Sequence, residues 1–370
     1  MKCGAAAKRR GKFGENMKLH ILETTKEYLF RNQPYRFILK SVRNLFFPVT
    51  IHIDVQKTIG IEVSSICDAK CIFCNYKFGV RKKNLLSVDE FRTIAHSCAA
   101  MGYEHLDLTS LGGEILVHKD IIEIITIAKT VGFKSVGSYT NGILLHRFNI
   151  QDFLQSGIDT LLISFPGFDK NVYEQVFGVD KYDEFIHSIL LLLETHHRIH
   201  SPVEIFFEPR TYLSLNEIKN SDFFKNSIAR YFDDRRVKMT EPLRVFDTWG
   251  GEITKKDLIK DMRLDVNPIK SISPLKKTYQ CARLNIFGVQ ANGDVRMCNC
   301  RYDSSVETEN DSLYIANYKQ YSSLEELFEK NQTKIETIKN NFTNGTLPSL
   351  CRRCPFYVPV KNLHYSGNGI

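Results

Sequence analysis

Cys67, Cys71 and Cys74 lie in the run CDAKCIFC, separated by three and then two residues. Thiolates at that spacing reach neighbouring corners of one iron–sulfur cubane, and no fourth cysteine stands close by to complete the set. A cluster held this way keeps one iron open to a small ligand, as a catalytic zinc ion keeps an unfilled position. A second group, Cys281, Cys298, Cys300, Cys351 and Cys354, follows the pattern C-x16-C-x-C-x50-C-x2-C. Four of these thiolates suffice for a closed iron–sulfur cluster or for a structural zinc ion, and spacing alone does not separate the two.

Other residues with chemical potential fall between the two groups. Gly112-Gly113-Glu114 joins backbone that permits close approach to a carboxylate, although two glycines and an acid also make an ordinary turn. Thr140-Asn141-Gly142 has turn chemistry of its own. Ser164 ends the run LLISF, and Ile205 and Phe207 alternate in VEIFFE, where core packing is the default role. HHRIH sets His196 and His200 at i,i+4 with no neighbouring acid, which points to an exposed helix end rather than a metal site. Cys98, among alanines, fits a buried structural thiol. Trp249, the sole tryptophan, stands beside two glycines and is a candidate either for lining a pocket or for packing.

The elements that must position these groups alternate in type. Short β-type runs, IGIEVSS, HLDLTS, KSVGSYT, TLLISF, VEIFFE and RVKMTE, are separated by helical stretches. The first helix opens at Ser87 with Glu90 completing a capping box; others are expected near 117–131, 148–156, 169–198 and 215–230. Six βα units without a dinucleotide glycine fingerprint predict a parallel sheet wound as a partial (β/α)6 TIM-like barrel in an α/β fold. The cysteine triplet then sits in the loop leaving the first strand, GGE follows the second, TNG the third, and Ser164 ends the fourth. The expected organisation is a helical extension over 1–50, the barrel over 51–241, a bridging segment over 242–280 and a small C-terminal iron–sulfur domain over 281–370. Residues 18–46 carry apolar positions at helical spacing, suited to packing against the barrel. Within the last domain Asn292-Gly293 marks a hairpin and a helix is expected near 323–340.

Composition narrows the class. At 370 residues and 43% hydrophobic content the chain can bury a large core. No run of about 18 apolar residues occurs, so no membrane span is expected. The basic N-terminal residues lack the apolar core of a signal peptide, Met17 is an alternative start, and the expected location is cytoplasmic. Ten cysteines in a chain of this kind favour metal ligation over disulfides. The net charge of +8 is spread among carboxylates, so a nucleic-acid partner is not expected, while an anionic small molecule remains compatible.

The C-x3-C-x2-C triplet, with Phe73 just before the last cysteine, resembles the signature of the radical S-adenosylmethionine (SAM) superfamily. The resemblance implies a [4Fe–4S] cluster on Cys67, Cys71 and Cys74 whose open iron is chelated by SAM. It also implies reductive cleavage of SAM to methionine and a 5′-deoxyadenosyl radical, with an electron from a donor such as flavodoxin or ferredoxin. Gly112, Gly113 and Glu114 resemble the family's GGE motif, which contacts the methionine amino group. Thr140 and Asn141 resemble its TNG turn, and Ser164 stands where relatives place a polar residue near the ribose or carboxylate. The later cysteines resemble the auxiliary-cluster domain called SPASM, in its shortened single-cluster twitch form. That likeness implies Cys281, Cys298, Cys351 and Cys354 as ligands, with Cys300 spare, as a possible hydrogen donor, or exchanging roles with Cys298. The expected function is hydrogen abstraction from a small polar substrate, a sugar, nucleotide-sugar or cyclitol, for dehydrogenation, epimerisation or dehydration. The alternatives are a maturase acting on a peptide or protein and a non-catalytic metal-binding protein.

Overall fold

A computed structural model gives the fold and describes residues 57–264, 280–303, 305–352, 354 and 359–360. The 1–50 extension, with the helix expected over 18–46, and residues 265–279 of the bridging segment lie outside the described residues.

Six parallel strands pair in chain order: β1 (Thr58–Ile61), β2 (His105–Asp107), β3 (Ser135–Thr140), β4 (Thr160–Phe165), β5 (Glu204–Pro209) and β6 (Val237–Met239). Each strand pairs with its successor, the order a wound barrel requires, whereas a doubly wound sheet reverses order at a switch point. Among the described residues β1 and β6 do not pair, so the parallel sheet is open. The expected α/β fold is present.

Register explains the core. Ser138, Leu161, Ile205 and Val237 are successive partners across β3 to β6, and all four are buried. The intervening positions Tyr139, Leu162, Ser164, Phe206 and Glu208 are half-buried. Successive strand residues face opposite sides, so one face is sealed by helices and the other carries the polar side chains. Helices α1 (Val88–Ala100), α2 (Ile121–Thr130), α3 (Ile150–Gln155), α4 (Lys170–Phe177) and α5 (Tyr182–Arg198) fill the crossovers.

Ser87 caps α1 as its sequence anticipates: its hydroxyl accepts from the Glu90 amide while the Glu90 carboxylate accepts from the Ser87 amide. Ser87→Ala is expected to cost about 1 kcal/mol and to lower the melting temperature by roughly 2 °C, read by thermal denaturation. The helix expected near 215–230 is shorter. It runs from Leu215 to Lys219, followed by a wide turn over Phe224–Ile228 and a tight one over Ala229–Asp233. Asn220 and Ser221 interrupt it, the Ser221 hydroxyl donating to the Ile218 carbonyl, the competition with backbone bonding that such residues bring.

The hairpin marked by Asn292-Gly293 forms, with Gly293 at φ 95°. Its strands β7 (Gly288–Val289) and β8 (Asp294–Arg296), with β9 (Tyr314–Asn317), extend the main sheet, because β7 pairs in parallel with β1. In the bridging segment, Val245–Phe246 pairs in parallel with Arg263–Leu264. No described helix is long and apolar enough to cross a membrane.

Candidate active site and second cysteine cavity

The loop leaving β1 is fixed at both ends. At its base Glu62 is buried and accepts two hydrogen bonds from Arg81, at 2.8 and 3.0 Å, and one from the Leu111 amide at 3.2 Å. On its outer side the Lys70 and Ile72 amides donate to Phe177 and Val176 at the end of α4, at 2.9 and 3.0 Å. Cys67, Cys71 and Cys74 stand on this anchored loop, half-buried.

Backbone donors point at the sulfurs: the Ala69 amide at Cys67 Sγ and the Tyr76 amide at Cys74 Sγ, each at 3.5 Å. Amide-to-sulfur bonds of this kind suit thiolates on an iron–sulfur cluster. Burial pushes all three thiols above their ordinary value, with the Glu114 carboxylate adding to the effect on Cys67. The Arg210 guanidinium works the other way on Cys71 and Cys74. A metal centre is what would hold them deprotonated.

Gly112 and Gly113 follow β2, and their lack of side chains is required. A Cβ on Gly113 would lie 2.2 Å from the Ser64 carbonyl oxygen, and one on Gly112 would lie 2.4 Å from the Tyr302 hydroxyl. This contact delivers Glu114 to the cysteine loop. Its buried carboxylate accepts from Thr140 Oγ1 at 2.6 Å, the Asn141 amide at 2.8 Å and the Leu116 amide at 3.2 Å. Asn141 Nδ2 in turn donates to Asp68 Oδ1 at 2.7 Å and points at Cys67 Sγ at 4.0 Å. Burial, reinforced by Asp68, pushes the Glu114 carboxyl up to about 7 despite these donors. The structure thus brings the GGE and TNG residues together beside Cys67.

Ser164 lies on the polar face of β4 and accepts from Arg210 Nε at 3.0 Å. The same guanidinium donates to Glu208 at 2.5 Å and stands 5.9 Å from the Phe73 ring and 5.6 Å from the Tyr139 ring. Sequence reasoning passed over Arg210, Glu208 and Tyr139. The available signal was the charged pair closing VEIFFEPR, since the C-terminal strand ends of a barrel carry its chemistry. Phe73 packs between Phe246, stacked at 4.8 Å, and Phe177 at 6.4 Å. Trp249, the undecided candidate, donates its indole N–H to the Phe73 carbonyl at 3.2 Å and carries the Arg301 guanidinium 4.1 Å from its ring. Arg301 also pairs with Asp247.

Cys281, Cys298, Cys300, Cys351 and Cys354 line one cavity together with Arg283 and Arg301. Among the described residues no three His, Cys, Asp or Glu side chains close on a single ion. The thiols instead surround a shared space, and the donor set fits an iron–sulfur cluster. Arg283 donates to Cys300 Sγ at 3.1 Å. The loop bearing Cys298 and Cys300 is held by the fully buried Arg296, which donates to the Cys298 and Arg301 carbonyls and pairs with Asp311 at 2.8 Å.

Asn299, between those two cysteines, reaches the inner face of the sheet, with Nδ2 3.4 Å from Asp107 Oδ2. Gly60 of β1 admits it, because a Cβ there would lie 1.9 Å from the Asn299 amide nitrogen. Gly60→Ala is expected to cost about 2 kcal/mol through overpacking. Combining it with Asn299→Gly should recover part of that loss, a coupling that a double-mutant cycle of denaturant unfolding measures.

Three sequence expectations settle as structural. His196 alone of the expected exposed helix end is buried, with Nε2 2.9 Å from the Val203 carbonyl, while His197, Arg198 and His200 are exposed. Cys98 is buried away from both cysteine groups, and Ile205 and Phe207 belong to the core.

A protein-family model described as Radical SAM superfamily matches residues 61–204. A probable GTP 3′,8-cyclase of Sulfurisphaera tokodaii is 30% identical over 269 residues, 67% of this chain and 83% of that protein. The GTP 3′,8-cyclase of Mannheimia succiniciproducens is 26% identical, covering 65% of this chain and 77% of its own length. Among solved structures, BtrN in complex with AdoMet and 2-DOIA is 14% identical, covers 81% of this chain and 92% of that one, and has a TM-score of 0.48.

Proposed function

Because this chain belongs to the radical SAM superfamily and is an enzyme, we propose that it abstracts hydrogen from a small, polar, phosphorylated substrate of the nucleotide or nucleotide-sugar class. The observation that carries the reading is the convergence of Glu114, Thr140 and Asn141 on the Cys67–Cys74 loop. A [4Fe–4S] cluster held by this loop would supply one-electron chemistry, the reductive cleavage of SAM to methionine and a 5′-deoxyadenosyl radical.

The chain's own residues hold and orient. Cys67, Cys71 and Cys74 would hold the cluster, with SAM as the ligand of the remaining iron. Glu114 accepts the ammonium of the methionine moiety, and Gly112 and Gly113 let the backbone approach it. Thr140 and Asn141 fix the carboxylate of Glu114 by two hydrogen bonds. Ser164 and the Arg210 bound to it lie on the same sheet face and offer donors to a carboxylate or ribose. Phe73 and Trp249 shield the loop from water, so that the radical meets one partner.

The substrate class is supported by the GTP named for the cyclase relatives. The expected domain limits, 51–241 for the barrel, 242–280 for the bridge and 281–370 for the second site, belong to the same proposal. There Cys281, Cys298, Cys351 and Cys354 would hold an auxiliary cluster, and Cys300, which accepts from Arg283 at 3.1 Å, would be the spare thiol.

Anaerobic reconstitution followed by incubation with SAM and dithionite tests the reading, with 5′-deoxyadenosine as the readout. Its absence from a fully clustered protein would overturn it. Running the reaction in deuterated buffer with GTP and with sugar nucleotides, and following label into product, then selects the substrate.

A further inference from the structure

Electrons for the Cys67–Cys74 loop must come from outside the chain, and one stretch of surface beside that loop is built unlike the rest. The described residues have three exposed large hydrophobic side chains, Phe78 at 41%, Val80 at 52% and Leu85 at 46%. All three fall within eight residues of one another, directly after Cys74. The same stretch, 75–86, contains Lys77, Arg81, Lys82 and Lys83 and no acidic residue. Lys77 pairs with Asp257 and Arg81 with Glu62. Lys82 and Lys83 are exposed and have no carboxylate partner among the described residues.

Isolated exposed apolar residues are ordinary, but three within eight residues, beside two exposed lysines with no carboxylate partner among the described residues, suit an interaction surface for a negatively charged protein. The patch also leads inward. Lys83 Nζ lies 4.7 Å from the centre of the Tyr76 ring, and the Tyr76 hydroxyl accepts a hydrogen bond from the Cys67 amide at 3.1 Å. A partner seated on this face is therefore one aromatic ring and one hydrogen bond from a cysteine of the loop.

We propose that Phe78, Val80, Leu85, Lys82 and Lys83 form the docking surface for a small acidic electron-carrier protein. The proposal rests on the functional reading above. The reduced carrier loses one electron and the cluster on Cys67, Cys71 and Cys74 gains it; no atom is transferred. Encounters of this kind are small, burying less than about 1,200 Å², and they depend on charge steering that salt weakens.

The test uses the full-length reconstituted protein and a bacterial flavodoxin. Binding of oxidised flavodoxin is measured calorimetrically, without turnover, for the unaltered protein, for Lys82→Glu/Lys83→Glu and for Phe78→Ser. The charge reversal is expected to raise Kd by about 10-fold or more and to abolish its salt dependence, and Phe78→Ser to raise Kd at every salt concentration. In turnover, 5′-deoxyadenosine formation driven by reduced flavodoxin should fall in proportion, while formation driven by dithionite stays unchanged. An unaltered Kd, or equal losses with both donors, would overturn the proposal. So would a dimer in sedimentation that Phe78→Ser dissolves while flavodoxin binding persists, since the occupant would then be a second copy of this chain. Failure of dithionite to yield 5′-deoxyadenosine in the unaltered protein would count against the functional reading instead, and the binding measurement would still decide the patch.

Discussion

Replacing Cys71 by alanine is expected to abolish 5′-deoxyadenosine formation while leaving the protein folded and the second cysteine cavity able to take up iron. Loss of a residue that merely supports a metal ligand costs about 10- to 100-fold in affinity or activity; loss of a ligand should exceed that. Two ligands cannot retain the cubane with an open iron, so iron content should fall and the SAM-dependent change in the cluster's electron paramagnetic resonance signal should vanish. Cys98→Ala is the control: that thiol is buried in α1, away from both groups, and its loss should leave iron and activity in place. Cys281→Ala should produce the complementary loss, removing iron from the C-terminal cavity alone. A Cys71→Ala protein that still cleaves SAM would remove the basis of the proposed mechanism.

The reason the triplet could be found without a structure is that its chemistry is local. Three thiols within eight residues act together whatever surrounds them, and a capping box such as Ser87 with Glu90 encodes its own geometry. The strand order was readable because alternation of βα units leaves few topologies. What stayed hidden depends on residues far apart in the chain. Asp68 meets Asn141, 73 positions away, only after the third strand has been laid beside the first two. Trp249 reaches the Phe73 carbonyl across 176 positions, and no spacing rule connects them. The Asn292-Gly293 turn announced a hairpin but not its partner, because the pairing of Gly288 with Gly60 depends on Asn299 fitting over two glycines. His196 was misread because its ring nitrogen is satisfied by the Val203 carbonyl, a backbone group that helical periodicity does not place.

The second large effect is expected from Glu114. It is buried, its three donors come from Thr140, Asn141 and Leu116, and Asp68 faces it through Asn141. Its carboxyl titrates near 7 rather than at the ordinary 4.5, because burial and the neighbouring acid both disfavour the charge. A cation brought to this place relieves that cost. The ammonium of SAM should therefore bind the ionised form, and affinity should fall about tenfold for each unit of pH below 7.

Glu114→Gln keeps the shape and removes the charge. Taking away one partner of a desolvated charge pair costs 2–5 kcal/mol, so SAM should bind roughly 100-fold more weakly or worse. Its affinity should also lose the pH dependence, measured by equilibrium dialysis between pH 5.5 and 8.5. Stability without SAM carries the opposite sign. Between 4.5 and about 7 the folded chain keeps a proton that the unfolded chain has released, so Glu114 lowers stability as pH rises through that window. The slope is at most about 1.4 kcal/mol per unit. Glu114→Gln should flatten that slope in denaturant titrations while weakening SAM. A variant that bound SAM normally would show that Glu114 serves only to tie β3 to the cysteine loop.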